Sequence, residues 1–108
     1  MANFKILNGV TTAVPTYGDT ITVPNYADAF TIQYNEAGTG AISATVVTYA
    51  SNDGTNWLTL ATTSLSGTTS TSDGFTFIAQ WKYLRAGVTA ISGTGATING
   101  FLNFYERP

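Results

Sequence analysis

Apolar and polar residues alternate along most of this 108-residue chain. Phe30, Ile32 and Tyr34 are separated by Thr31 and Gln33, which places the apolar side chains on one face of an extended strand. No window of eleven residues shows the 3.6-residue period of an amphipathic helix without an intruding Gly, Pro or β-branched residue. Further alternating runs occur at Ile42–Tyr49, Trp57–Leu60, Phe75–Ala79, Trp81–Ala90 and Ala96–Tyr105. The sequence therefore predicts an all-β fold: one antiparallel, jelly-roll-like β-sandwich domain over residues 1–108, with about eight short strands and no substantial helix.

Glycine-containing segments predict where these strands turn. Asp53-Gly54, within the segment Ser51–Trp57, is a strong hairpin signal because Gly accepts the positive φ of a tight turn. The tetrapeptide Gly-Thr-Gly-Ala occurs twice, at Gly38–Ala41 and at Gly93–Ala96. We interpret the repetition as reuse of a good turn rather than as an ancient duplication. Each copy is then the turn of a hairpin, joining Phe30–Tyr34 to Ile42–Ser51 and Lys82–Ile91 to Ala96–Tyr105.

One stretch of low complexity interrupts the pattern. Thr62–Gly74 consists almost entirely of Ser, Thr and Gly. It is interpreted as the start of a strand followed by a long polar loop, with Leu65, its only large apolar residue, as the anchor. Pro15 and Pro24 lack a backbone N–H, so they predict edge strands or loop ends in the N-terminal region.

Hydroxyl side chains replace charged ones throughout the chain. There are 20 Thr and 7 Ser, against four basic and six acidic residues, and there is no His and no Cys. Disulfides are therefore excluded, as are the usual zinc, haem and iron–sulfur sites, which need His or Cys ligands. Catalysis that depends on His or Cys is excluded as well. We expect no metal and no cofactor.

The charge pattern bears on partners and location. The net charge is −2 and no basic run occurs, so the electrostatic signature of nucleic-acid binding is missing. No stretch approaches 18 apolar residues, and the N-terminal segment lacks the pattern of a signal peptide. We therefore expect a protein made in the cytoplasm that binds neither nucleic acid nor membrane. Its low charge gives little self-repulsion, which is typical of a subunit packed against others.

Two kinds of polar site that the sequence offers have simpler explanations. Asn52, Asp53 and Asn56 offer oxygen ligands for Ca²⁺, but only one carboxylate is present, and Asn52, Asp53 and Gly54 are better explained as turn residues. A glycosidase would need two carboxylates across a cleft. The candidate pairs lie near predicted turns and are interpreted as solvated acids: Asp28 with Glu36, and Asp53 with Asp73. The chain is accordingly not expected to be an enzyme.

Aromatic residues supply the candidate interaction surface. By alternation, Trp81, Tyr83 and Arg85 point to one face of a strand whose other face carries Leu84, Ala86 and Val88, predicted to be buried. Trp57 is interpreted as a core residue. The surface of interest, a possible platform for a sugar ring or a contact for a protein partner, comprises Trp81, Tyr83, Arg85, Phe101 and Tyr105.

The segments Ser51-Asn-Asp-Gly-Thr-Asn-Trp57 and Trp81-Lys-Tyr-Leu-Arg85 carry a resemblance. The chain resembles the small β-sandwich structural proteins of tailed bacteriophage virions in three successive features. These are an S-x-D-G-x-x-W pattern, a Thr/Ser-rich stretch, and a K-Y-L-R strand ending in G-x-G-A. They are also similar, more weakly, to discoidin-like carbohydrate-binding sandwiches, which are longer. The likeness spans Thr48 to Phe104, about half of the chain.

The phage resemblance implies assembly without catalysis. We expect a virion protein, most simply a capsid decoration (cement) subunit, with capsid or tail proteins as partners and a homo-oligomeric state in which a trimer is favoured. The alternatives are a carbohydrate- or receptor-binding module and a tail or fibre component. The resemblance transfers no list of site residues.

Overall fold

The computed structural model describes residues 2–13, 16–23, 27–78 and 81–106, and these ranges contain seven β-strands. No helix occurs in them, so none is long and apolar enough to cross a membrane. The all-β prediction is confirmed. Pro15 and Pro24 lie outside the described residues. The strands are β1 (Ala2–Val10), β2 (Thr16–Tyr17), β3 (Ile21–Thr22), β4 (Ala27–Ser51), β5 (Leu58–Ile78), β6 (Tyr83–Ser92) and β7 (Thr97–Glu106).

A long hairpin of β4 and β5 organises the whole fold. The two strands pair along nearly their full length, and the other edge of β4 changes partner halfway. Residues 27–37 of β4 pair with β7, whereas residues 43–51 pair with β6. β1 extends the sheet beyond β7, and the short strands β2 and β3 both pair with β6. Every pairing is antiparallel.

All seven strands belong to one continuous antiparallel sheet, and the change of partner divides it into two halves, which we call sheet A and sheet B. Sheet A has the order β5–β4–β7–β1, and sheet B has the order β5–β4–β6 followed by β2 and β3. Each long strand contributes one half to each sheet. The structure thus has seven strands where the sequence predicts about eight short ones, and β4 and β5 are long.

The inner faces of the two sheets form one core. In sheet A the buried residues of β4 are Phe30, Ile32 and Tyr34, and their neighbours Thr31 and Gln33 are exposed, as alternation predicts. A single cluster draws buried residues from both sheets. Its members from the central strands are Phe30, Ile32, Tyr34, Ala44, Val46, Ala50, Leu84, Ala86, Val88, Ile98, Leu102 and Phe104. The sandwich is therefore closed by apolar contact between its layers.

The two Gly-Thr-Gly-Ala segments are not hairpin turns, and that prediction is wrong. β4 continues through Gly38–Ala41, and among the described strands β6 does not pair with β7. Both segments instead carry the chain from one sheet to the other, and they touch there. The Thr39 N–H and hydroxyl both donate to the Thr94 carbonyl oxygen, each at 3.0 Å. A local pattern of turn residues cannot distinguish a hairpin from such a crossing, because strand partners are chosen at long range.

The Ser/Thr-rich stretch is a strand, so the predicted loop is also wrong. Residues 62–74 lie within β5 and pair with β4. Thr63 and Leu65 are buried while Ser64 and Ser66 are exposed, so the alternation persists in a polar sequence. The role of Leu65 as an anchor is confirmed by its 2% exposure. Branched Thr side chains suit a pleated strand, and cross-strand contacts with β4 stabilise it.

A hydrogen bond between the layers gives a first testable prediction. The Tyr34 and Thr48 hydroxyl oxygens are 2.7 Å apart, and both residues are fully buried. Tyr34→Phe leaves the Thr48 hydroxyl without a partner, so we expect the free energy of unfolding to fall by about 1–3 kcal/mol. Adding Thr48→Val removes the orphaned group. The double variant should therefore be destabilised by less than the sum of the single variants, as measured by urea denaturation. Additive losses would contradict the assigned bond.

Candidate functional site

The outer face of sheet B carries a cluster of one cation and three aromatic rings. The guanidinium carbon of Arg85 lies 4.1 Å from the ring centroid of Tyr17 and 4.2 Å from that of Trp57. Tyr49 is further away, at 5.7 Å, and its ring meets that of Tyr17 edge-on with centroids 5.8 Å apart. Arg85 is thus held between two rings, an arrangement with favourable cation–π energy. We call these four residues the Arg85 cluster.

Strand alternation explains how Arg85 reaches this face. Leu84, Ala86 and Val88 point into the core and are at most 1% exposed, which confirms their predicted burial. Arg85 lies between them on β6 and therefore points outward. Gly87 follows on the same face, and a Cβ there would lie 2.9 Å from a ring carbon of Tyr17 and 3.0 Å from one of Tyr49. The missing side chain leaves the space that the two Tyr rings occupy.

Stacking on aromatic rings is the contact that the described residues make with the Arg85 guanidinium. Its Nε atom is buried and has no hydrogen-bond partner among the described residues. An unpaired buried donor costs free energy, which the two flanking rings offset. The guanidinium side chain as a whole is only half-buried, and Tyr17 beside it is 45% exposed. A partly exposed group of Arg, Tyr and Trp has the composition of a protein-interface hot spot.

The structure does not bring the predicted interaction residues together. Tyr83 and Arg85 lie on β6 and point to the outer face of sheet B. Trp81 does not join them, because it precedes β6 and packs against the core. Phe101 lies on the outer face of sheet A, with the Lys5 Nζ 5.7 Å from its ring centroid. The Tyr105 side chain lies outside the described part of the chain, although its backbone pairs with Ala29 in sheet A.

Sequence reasoning missed two members of the Arg85 cluster and misplaced a third. Tyr17 comes from β2, and Tyr49 lies directly opposite Arg85 on β4. Trp57 is half-buried against Arg85 instead of lying in the core, so the interpretation of it as a core residue is wrong. For Tyr49 the sequence did contain a usable signal, because alternation along β4 places this residue on the outer face. Nothing local indicated that Tyr17 would reach the same place, because β2 pairs with β6 across about 70 residues of sequence.

The turn residues lie in the connection between β4 and β5. Asp53 accepts hydrogen bonds from the backbone N–H groups of Thr55 and Asn56, both at 2.8 Å, and from the Asn56 amide at 2.9 Å. The Ser51 hydroxyl also donates to it at 2.9 Å. These bonds hold the pKa of the Asp53 carboxyl well below its usual range. The Asn52 side chain accepts a bond from the Lys82 N–H, which ties the loop to the residue before β6.

Acidic residues do not converge in the described part of the chain. No group of three or more acidic side chains that could hold a metal ion occurs there. Asp53 is engaged by its own loop, and Asp73 accepts a bond from the Gly74 N–H. Glu36 is buried inside the sandwich, and the side chain of its proposed partner Asp28 lies outside the described residues. Asp53 thus serves its own loop, Asp73 lies exposed on β5, and Glu36 lies in the core.

Comparisons with known proteins point to the architecture. No protein-family model matches the chain, and no curated protein sequence does. Among solved structures, the SPBc2 prophage-derived protein YomS is 17% identical with a TM-score of 0.61, over 94% of this chain and 90% of that one. A subunit from a structure described as Bacillus endospore appendages that form disulfide-linked pili is 17% identical with a TM-score of 0.50, over 99% and 88%. At these identities the likeness establishes a shared all-β fold.

Proposed function

We propose that this chain is a non-enzymatic structural subunit of a bacteriophage virion, and that it decorates the capsid as a cement protein. Its role is to add contact area at junctions between capsid subunits, which stabilises the assembled shell by mass action. The Arg85 cluster is the observation that carries the proposal. It presents Arg, Tyr and Trp side chains, already fixed in place, on an otherwise mostly uncharged sheet face.

Two further features support a packing role. The fold it shares with YomS is found in a prophage-derived protein, and the exposed strand residues are mostly Thr and Ser. Hydroxyl side chains can be covered by a neighbouring protein without burying unpaired ions. The chain also leaves one edge of β5 unpaired among the described strands, and β5 is 21 residues long. Free strand edges pair readily with other chains, so this edge suits a homo-oligomer, which we propose to be a trimer.

Attachment to particles tests the role of the Arg85 cluster. Particles assembled without this chain are mixed with the purified protein and pelleted, and the bound protein is quantified. Arg85→Ala should weaken attachment about 30-fold or more, since hot-spot residues contribute about 2 kcal/mol or more. Lys82→Ala is the matched control, because Lys82 is an exposed cation at the same end of β6 and stacks on Tyr83 instead. Thermal unfolding verifies that both variants are folded.

Two outcomes would count against the proposal. If Arg85→Ala binds particles as tightly as the wild type, the Arg85 cluster is not the contact. The second outcome is release of the bound protein by 1 M NaCl alone. Salt screens exposed ion pairs strongly but stacked and partly buried contacts little, so such release would indicate a contact made of exposed ion pairs. Cryo-electron microscopy of the particle then locates this protein on the capsid or on the tail. On the tail, the same surface would serve a tail or fibre component.

A further inference from the structure

A shallow groove with a mixed polar and apolar lining crosses the outer face of sheet A, whereas the Arg85 cluster lies on sheet B. The groove has a volume of about 460 Å³ and is bounded by β5, β4 and β7. Strand register places its floor in two rows. Gly74, Gln33 and Phe101 form one row, and Thr76, Thr31 and Asn103 form the next. Neighbouring strands in a sheet are about 4.8 Å apart and successive outward residues about 7 Å apart, so the floor is a grid on the scale of one or two sugar rings.

The absence of a side chain at Gly74 opens the β5 side of the groove. Gly74 lies beside Gln33, so no side chain stands between Gln33 and the rim at that point. A Cβ there would collide with the Ile32 carbonyl oxygen and lie 3.2 Å from the Gln33 Cα, so the close approach of the two backbones leaves no room for a side chain. The Phe101 ring, which is half-buried, closes the row on the opposite side.

Hydrogen bonds orient part of the lining in advance. The Gln33 amide nitrogen donates to the Asn35 side-chain oxygen at 3.0 Å, and the Ser72 hydroxyl donates to the same oxygen at 2.6 Å. The Gln33 side-chain oxygen takes no part in these two bonds and can accept one from a ligand. Groups that are already positioned lose less entropy when a ligand binds.

The lining chemistry selects a class of ligand. Amide and hydroxyl groups both donate and accept hydrogen bonds, as sugar hydroxyls do, and the Phe101 ring offers a flat apolar face. Among the described residues Asp73 is the one charged residue in the lining, and the Lys5 Nζ lies 5.7 Å from the Phe101 ring centroid, so the two opposite charges leave no net charge that would favour an ionic ligand. We propose that this groove binds a neutral carbohydrate of one or two sugar units. Binding at one site should be weak, with a dissociation constant of about 1 mM, and many copies on a particle would add avidity.

Only the avidity depends on the proposed virion role, so the groove can be tested on the isolated protein. Glucose, galactose, mannose, N-acetylglucosamine and their common disaccharides are titrated into ¹⁵N-labelled protein up to about 50 mM. We expect saturable amide shift changes in residues 31–33, 72–76 and 101–103 for at least one of these sugars. Gln33→Ala and Phe101→Ala should weaken binding at least tenfold. Ser43→Ala is the matched control, because Ser43 is exposed on the same strand but in sheet B.

Three results would overturn the assignment. One is the absence of shift changes with every sugar at 50 mM. Another is an unchanged affinity in Gln33→Ala, an exposed position whose substitution should leave the fold intact. The third is a set of shift changes centred on the Arg85 cluster instead of the groove. Particle attachment through Arg85 could still hold in each case, so failure here is distinguishable from failure of the proposed virion function.

Discussion

Replacing Gly93 with alanine should destabilise the protein far more than the same replacement at Gly40. The two glycines have nearly equal backbone angles, with φ of 118° and 122°, in a region that other residues rarely adopt. They differ in the space around them. A Cβ on Gly93 would lie 2.8 Å from the Ala41 carbonyl oxygen and 2.7 Å from the Ile42 Cγ2, whereas nothing lies within 4 Å of one on Gly40.

The pair therefore separates backbone strain from steric collision. Gly40→Ala bears only the strain, about 1–3 kcal/mol. Gly93→Ala bears a similar strain plus a collision with the backbone of β4 at the crossing between the sheets. We therefore expect its free energy of unfolding to fall by at least a further 1–2 kcal/mol. The total loss is a large fraction of the stability of a small domain. Urea unfolding curves give both values. Equal losses in the two variants would mean that the two sheet-crossing segments are not packed as described.

Removing the charge of Glu36 should stabilise the protein at neutral pH. Glu36 is 1% exposed, and neither of its carboxyl oxygens has a hydrogen-bond partner among the described residues. Burial raises the pKa of this carboxyl above its ordinary value of 4.5. The folded state therefore holds the proton more tightly than the unfolded state does. As the pH rises from 4.5 through the raised pKa, the free energy of unfolding falls, and the loss is complete above that value.

Glu36→Gln keeps the size of the side chain and removes its titration. We expect it to raise the free energy of unfolding at pH 7 by about 1 kcal/mol or more, because an unpaired buried carboxylate costs more than an unpaired neutral amide, and to flatten the decline above pH 4.5. Asp73→Asn is the matched control: it makes the same charge change at an exposed position, so its stability should follow the wild-type decline. Unfolding by urea between pH 4 and 8 measures the three profiles. A Glu36→Gln profile parallel to the wild type would show that Glu36 is solvated or paired.

Asp53 acts in a different pH range and does not obscure this test. Hydrogen bonds from Asn56, Thr55 and Ser51 lower the pKa of its carboxyl below its ordinary value of 3.8. A lowered pKa contributes stability above 3.8 that is lost as the pH falls below it. The decline caused by Glu36 begins at 4.5 and runs in the opposite direction, so the two can be read separately.

Much of the strand content, and the direction of each side chain within it, could be predicted from the sequence. Alternation identified Phe30, Ile32 and Tyr34 as inward residues, and the same rule separated Arg85 from its buried neighbours Leu84 and Ala86. It succeeded because the two-residue period of a strand is a local property of the backbone. It failed for Trp81, which precedes β6 and so lies outside the pattern.

The candidate sites depended on information that no local pattern contains. Tyr17, Tyr49 and Trp57 meet Arg85 from three separate segments, and the groove combines residues of β4, β5 and β7. The comparison with YomS adds the fold but names no residue. Only strand register brings such residues together, and register depends on contacts between distant parts of the chain.

By itself, the sequence determined an all-β chain with polar, mostly uncharged strand faces and without the ligands for the usual zinc, haem and iron–sulfur sites. Composition and the two-residue period are sufficient for that result. The tertiary structure decided that the Gly-Thr-Gly-Ala segments cross between sheets, that a Ser/Thr-rich stretch forms a long strand, and that Arg85 lies between two rings. Each of these depends on which strands become neighbours, and that choice is made by the burial of one shared core.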